Sequence, residues 1–361
     1  MSVDVAPAPA SATGARAPVA EPAHPATSRR TTSLVTGLVV VVVLLGVVVV
    51  MSLAYGSRAT PPSTPLDMLL GYDAIDNDHL AVLTVRLPRT VIGLLVGASL
   101  GLAGAIIQGV TRNPLADPGL LGVNAGAAFG IVVAISVLSV TTPSGYVLFG
   151  ILGAAIASAV VFVIASIGRD GATPVKLALA GAALTAVVGS LTTAVLLSDQ
   201  ATFDQYRFWA VGTLSGRDLD DTAALAPFFA VGMVAALASG RMLNGLAMGE
   251  DLARALGHRI GWSRALAGVS VMLLCGTATS LAGPIAFIGL TVPHLARFIA
   301  GPDYRWVLPY SMLLAPILLL TADVLGRLVP GPGELQVGIV VAFLGGPVFI
   351  ALVRRRRVAE L

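Results

Sequence analysis

The chain has 361 residues, 56% of them hydrophobic and only 11% charged, with a formal net charge of +3 and a mean hydropathy of +0.89. No soluble domain needs so much apolar sequence, so the composition excludes one and points to repeated membrane-spanning helices, with 40 glycines to let them pack closely. The single cysteine, Cys275, excludes a disulfide framework and a Cys-based metal site, and the single lysine, Lys176, precedes Leu177, which excludes a Gly-Lys-Ser/Thr phosphate loop.

Residues 1–32 are rich in Ala, Pro, Ser and Thr and read as a disordered tail. The first apolar run, Leu34 to Tyr55, follows Arg29 and Arg30. It is too long for a signal peptide and reads as a retained span. Further runs predict spans at about 90–110, 118–140, 146–167, 175–198, 223–240, 264–282, 284–299, 307–328 and 336–353. The fold class is therefore an all-α polytopic membrane protein of about ten transmembrane helices, its membrane domain covering 33–357. Between spans, 58–88 is a polar connection with a short helix over 65–70, and 199–222 carries a Phe208-Trp209 pair that suits an interfacial anchor. Pro284 and Pro293 interrupt 264–299, which is two spans or one span plus a re-entrant piece. Asn113, Pro114, Asp117 and Pro118 form a turn after the second span, where the prolines block helix continuation and the Asn and Asp side chains bond nearby backbone.

Leu243 to Gly257 is a polar island between two apolar halves. Glu250 and Asp251 suit a helix start, Arg254 suits its end, and Glu250 and Arg254 are spaced i,i+4. Met248, Leu252 and Leu256 fall on one stripe, and Gly257 is a natural stop. Two readings stay open on these residues: a docking element for a soluble partner, or a helix lying on the membrane or on its own bundle.

With ten spans, one side of the membrane holds sixteen Lys and Arg and the other holds six: Arg58, Arg86, Arg89, Arg207, Arg217 and Arg327. The positive-inside rule puts both termini and the island in the cytoplasm, across a cell membrane. Asp323 is the one acid well within a span, too little for a proton-coupled carrier, and His294 reads as a hydrogen-bonded helix-end histidine. There is no HExxH, no Gly-x-Ser-x-Gly and no paired carboxylate at catalytic spacing, so nothing marks an enzyme, a metal site or a nucleic-acid partner.

Several stretches in order resemble one family. They are Arg86-Leu-Pro-Arg89, Asn113-Pro-Leu-Ala-Asp-Pro-Gly-Leu-Leu-Gly122, Leu179-Ala-Gly181, Phe208-Trp209 with Gly212, Leu246-Ala-Met-Gly-Glu250 with Ala255-Leu-Gly257, Leu281-Ala-Gly-Pro-Ile-Ala-Phe-Ile-Gly-Leu290 with Val292-Pro-His294, and Glu334-Leu-Gln-Val-Gly338 ahead of Gly345-Gly-Pro347. Their order is similar to that of the FecCD permeases, membrane subunits of ABC importers for iron-siderophores, haem and cobalamin. The resemblance covers about 34–357.

It implies a type II ABC importer permease architecture. It also implies a dimer with a second permease subunit, two cytoplasmic ATPases that hold the ATP and Mg, and an extracytoplasmic solute-binding protein, with no cofactor on this chain. The segment at about 241–262 then becomes the coupling element, with Met248, Gly249, Glu250, Leu252, Ala253, Arg254, Leu256 and Gly257 toward the ATPase. Arg86, Arg89 and Arg327 would grip acidic residues of the binding protein. Leu177, Gly181, Gly189, Thr192 and Thr193 would line the pathway. Ferric siderophores are the favoured cargo; haem, cobalamin and, in another class, an ion-coupled secondary transporter are the alternatives.

Overall fold

The computed structural model describes residues 25–140, 142–168, 172–255, 260–329 and 333–355, which form helices and turns with no strand among them. In chain order these are α1 (Pro25–Ala54), α2 (Thr64–Leu70), α3 (Asn77–Ala81), a wide π turn (Val82–Arg86) and α4 (Leu87–Thr111). A 3-10 turn (Pro118–Leu121) leads to α5 (Val123–Ser136), α6 (Pro143–Ser166), α7 (Pro174–Ser198), α8 (Gln200–Ala210) and α9 (Leu219–Ala238). Then come α10 (Gly240–Ala247), α11 (Glu250–Ala255), α12 (Ile260–Ala282), α13 (Ile288–Ala300), α14 (Tyr304–Leu328) and α15 (Val337–Arg355).

Among the described residues, seven helices are long and apolar enough to cross a membrane, and three shorter apolar helices lie within α5, α13 and α15. Each matches one expected span. The first starts early: α1 begins at Pro25, inside the stretch expected to be a disordered tail, whose residues 1–24 lie outside the described residues.

Helix α4 is the centre of the bundle, buried along most of its length and packed against α14, α12, α13 and α9. Its sequence explains this. Gly93, Gly97, Gly101 and Gly104 recur every three or four residues and give one face no side chains. A Cβ at Gly97 or Gly101 would overlap the α14 backbone at Pro316 or Ser311, and one at Gly104 would overlap the Gly289 carbonyl of α13. Close approach of this kind replaces hydrophobic burial as the packing force in lipid.

The irregular 264–299 region resolves into a full-length α12, a break at 283–287 and a short α13. Gly283 and Phe287 take positive φ values of 79° and 67° around Pro284, which ends the helix. With 13 residues, α13 reaches only about 20 Å, less than the ~30 Å hydrocarbon core. Pro293 departs from expectation: it sits inside α13 rather than at a turn. Its ring removes the donor that would bond the Gly289 carbonyl, and Gln108 of α4 donates there instead, Nε2 to O 3.1 Å.

The Phe208-Trp209 pair splits. Phe208 is exposed, but Trp209 is buried, with Nε1 donating to the Ser280 carbonyl at 3.1 Å, so it is a core residue and not an interfacial anchor. Arg217 Nε donates to the Leu281 carbonyl at 2.9 Å, and the Thr213 amide to that of Ala282 at 2.7 Å. Together they satisfy the last carbonyls of α12, which have no partner within the helix.

Candidate functional site

At one end of the bundle, α1 stops at Ala54 and leaves its final carbonyls without helical partners. Arginines supply the donors. Arg86 Nη1 donates to the Leu53 and Ala54 carbonyls at 3.0 and 2.7 Å, and its Nη2 to that of Arg58 at 2.9 Å. Arg327 Nη1 donates to the Ser52 and Tyr55 carbonyls at 2.9 and 3.1 Å. Cations at a helix C-terminus also meet the negative end of its dipole. A Cβ at Gly56 would lie 2.7 Å from Arg86 Nε, so a side chain here would have to displace the guanidinium.

Asp323, fully buried in α14, joins the remaining arginines. Arg89 binds it through Nε at 2.9 Å and Nη2 at 2.6 Å, Arg327 binds it through Nε at 2.9 Å, and Arg89 also pairs with Glu334. Arg86, Arg89 and Arg327 are only 3%, 4% and 5% exposed. The three arginines expected to face a partner thus turn inward. The physical reason is that a helix end and a buried carboxylate take their donors.

The opposite end carries the polar island. It is two helices, not one: α10 ends at Ala247, Gly249 takes φ 104°, and α11 starts at Glu250. Leu243 and Leu246 bury one side of α10 against the bundle, and Ala253 is buried in α11. Met248 and Leu252 remain 54% and 49% exposed, a short apolar edge that no neighbour among the described residues covers. Arg254 is exposed, whereas Leu256 and Gly257 lie outside the described residues. Asn244 ties α10 to the start of α14: its Nδ2 donates to Asp303 at 2.6 Å and its Oδ1 accepts from the Tyr304 amide at 2.8 Å. Gln108, Arg297 and His294 form a second tie between α4 and α13, with the His294 ring 3.0 Å from the Leu290 carbonyl. The Asn113–Pro118 turn lies nearby, and Asn113 and Asp117 accept from the Leu115 and Gly119 amides at 2.9 and 2.8 Å, as their spacing predicts.

Two helices run between these ends. Arg89 and Gln108 on α4 are separated by about 28 Å at the helical rise, close to the thickness of the hydrocarbon core. Asp303 and Asp323 sit at opposite ends of α14. Sequence reading passed over Gln108. A lone amide in an apolar span is the signal that it has a backbone to serve.

Helix α7 lies on the outside of the bundle. Leu177, Gly181 and Thr192 face inward, and a Cβ at Gly181 would overlap the Leu120 carbonyl. Thr193 is exposed and Gly189 partly so. At roughly 100° per residue the five expected wall residues divide between two faces, so they do not form one wall. The outward face carries Ala182, Ala186, Ser190 and Thr193 together with the exposed Leu179 and Leu197.

Two carboxylates outside the spans, Asp303 and Glu334, are held below their usual range by their partners. Hydrogen bonds from Arg305 and Asn244 overcome partial burial and hold Asp303 down to about 2. Burial pushes Glu334 up, but bonds from Ser57 and Arg89 and the charges of Arg89 and Arg327 outweigh it and leave the carboxyl below its usual range. A depressed carboxylate stabilises fully above its unfolded pKa and loses that contribution as pH falls through its folded one. Thermal unfolding of the detergent-solubilised protein is therefore expected to lose stability from about pH 4 downward through these two groups. Asp303→Asn and Glu334→Gln should flatten that fall; an unchanged fall would contradict the assignment.

With this geometry in hand, comparison with known proteins is decisive. The FecCD transport family matches residues 44–355. The chain belongs to the FecCD transport family. It is 45% identical to the ferric enterobactin transport system permease protein FepD of Escherichia coli over 87% of this chain and 93% of that one. It is 41% identical to "Probable siderophore transport system permease protein YfiZ" of Bacillus subtilis over 88% and 95%. The cobalamin import system permease protein BtuC of Halobacterium salinarum is 38% identical over 81% and 78%. A solved metal-chelate type ABC transporter, described in an inward-facing conformation, superposes with a TM-score of 0.78 at 27% identity, covering 89% of this chain and 99% of that one. The FecCD chain is thus a multi-pass membrane permease.

Proposed function

We propose that this FecCD chain is the transmembrane subunit of an ATP-driven importer of ferric siderophores. The observation that carries the reading is the FepD similarity, which spans nearly the whole of both chains. ATP and Mg belong to separate ATPase subunits, since the one lysine of this chain is not in a phosphate loop. The ATPase takes the apolar edge of Met248 and Leu252 into a groove, with Gly249, Ala253 and Arg254 beside it. Glu250, Leu256 and Gly257 belong to the same coupling segment.

The arginine tally puts this end and both termini in the cytoplasm. A binding protein docks at the other end, on the surface that Arg86, Arg89 and Arg327 brace from within and that carries the exposed Arg58. Two permease subunits meet along the outward face of α7, where Gly189 and Thr193 border the pathway. Its small side chains hold no strong ligand, which suits passage of a bulky chelate without tight binding. The remaining expected wall residues, Leu177, Gly181 and Thr192, support that helix from behind.

Uptake by vesicles holding the chain, its ATPase and its binding protein tests the cargo. Labelled iron offered as a ferric siderophore should accumulate and be displaced by the unlabelled ferric siderophore. Displacement by cobalamin or haem, with none by the siderophore, would overturn the cargo assignment.

A further inference from the structure

Helix α11 packs on α10 and α12, and α10 packs in turn on α4, α14 and α9. A push on the exposed edge of Met248 and Leu252 therefore enters the bundle partly through α10. Two kinds of contact receive it there. Leu243 is apolar and fits against Gly109 of α4, where a Cβ would lie 3.1 Å from Leu243 Cδ2 and 3.0 Å from Tyr304 Cζ. Apolar packing has no direction of its own.

The Asn244 amide, by contrast, makes directional bonds. Its Nδ2 donates to Asp303 Oδ1 at 2.6 Å, and its Oδ1 accepts from the Tyr304 amide at 2.8 Å. Asp303 is the N-cap residue of α14 and also accepts from the Arg305 amide at 2.9 Å. Tyr304 begins α14, so its amide is a first-turn donor without a partner inside its own helix. Part of the cap of α14 is thus supplied by α10.

The start of α14 is a junction for two more helices. The Tyr304 hydroxyl meets Arg297 of α13, and Arg297 binds Gln108 of α4. Gln108 Nε2 returns to α13 at the Gly289 and Leu290 carbonyls, 3.1 and 3.2 Å away. At its other end, about 30 Å off at the helical rise, α14 holds Asp323 between Arg89 and Arg327. It is a rod with a hydrogen-bonded anchor at each end.

Resting on the importer reading, we propose that Asn244 is a positioning residue for transport. It fixes the first turn of α14 to the coupling segment through Asp303 and Tyr304. Movement of α10 driven by the ATPase then carries α14, and with it the Asp323 cluster beneath the binding-protein surface.

The assembled transporter in nanodiscs tests this, with ATP hydrolysis read in the presence and absence of the siderophore-loaded binding protein. Asn244→Ala removes both bonds and adds no charge. It should keep ATPase co-purification and basal hydrolysis, while stimulation by the loaded binding protein falls about tenfold, the order expected for losing one hydrogen bond to a charged group. Asn244→Asp should also lower stimulation, because it sets two carboxylates face to face. Adding Asp303→Asn to Asn244→Asp rebuilds the pair with donor and acceptor exchanged and should recover most of the stimulation. The Arg305 side chain loses its carboxylate in that double variant, an exposed pair that contributes little. Undiminished stimulation in the single variants, no recovery in the exchanged pair, or an equal fall of basal and stimulated hydrolysis would overturn the proposal. An unaltered assembly that the loaded binding protein does not stimulate would remove the importer reading and this proposal with it.

Discussion

Asp323→Ala is expected to cost about 3–5 kcal/mol of stability, the typical penalty for removing one partner of a buried charge cluster. Asp323 is wholly buried and serves both Arg89 and Arg327. Without it, two guanidinium groups stay in a dry interior with only Glu334, the Ser52 hydroxyl and backbone carbonyls to meet them. Asp323→Asn should also destabilise, because its amide nitrogen turns a donor toward donors. The consequence reaches past α14, since Arg327 and Arg86 close the end of α1. Denaturant unfolding in mixed micelles provides the measurement. Adding Arg327→Met to Asp323→Ala should cost much less than the sum of the single changes, because one stranded charge has gone. Additivity to within about 0.5 kcal/mol would show that the two residues do not act as a unit.

The second large effect concerns the apolar edge at the other end. Changing Met248 and Leu252 together to Asp should leave folding nearly untouched, since both side chains are already about half exposed. It should nevertheless disrupt assembly. A charge stranded in an apolar interface at about 3–5 kcal/mol weakens affinity on the order of 10²- to 10⁴-fold. Co-purification with the ATPase should fall below detection while the melting curve of the isolated permease stays in place. Normal co-purification would remove these residues from the interface, and a shifted melt would mean that the edge packs on its own bundle.

The sequence discloses the membrane helices well, because an apolar run of sufficient length has few other structures open to it. It discloses local turns equally well: Asn113 and Asp117 bond the amides their type and spacing call for. The island was legible as a helix-forming polar segment but not as two helices. The signal was Gly249 directly before Glu250 and Asp251, a stop followed by a start. Pairings across the bundle were not legible. Arg89 meets Asp323 across 234 residues, and no local pattern connects them. For the same reason surface arginines could not be told from arginines that cap a helix end. Pro293 was read as a break because sequence does not reveal that Gln108 supplies the missing donor. The five wall residues of α7 followed from the family resemblance, which carries no helical phase, and they fall on two faces.

Under the proposed function, transport through this chain is driven by ATP on a partner and not by an ion gradient. The most direct test of this is uptake of a labelled ferric siderophore into proteoliposomes that contain the chain, its ATPase and its binding protein. The ATP is held constant while an uncoupler collapses the proton gradient. Uptake should continue at an unchanged rate and stop when the ATPase carries an inactivating substitution. Uptake that stops with the uncoupler, or that persists without ATP hydrolysis, would contradict the account.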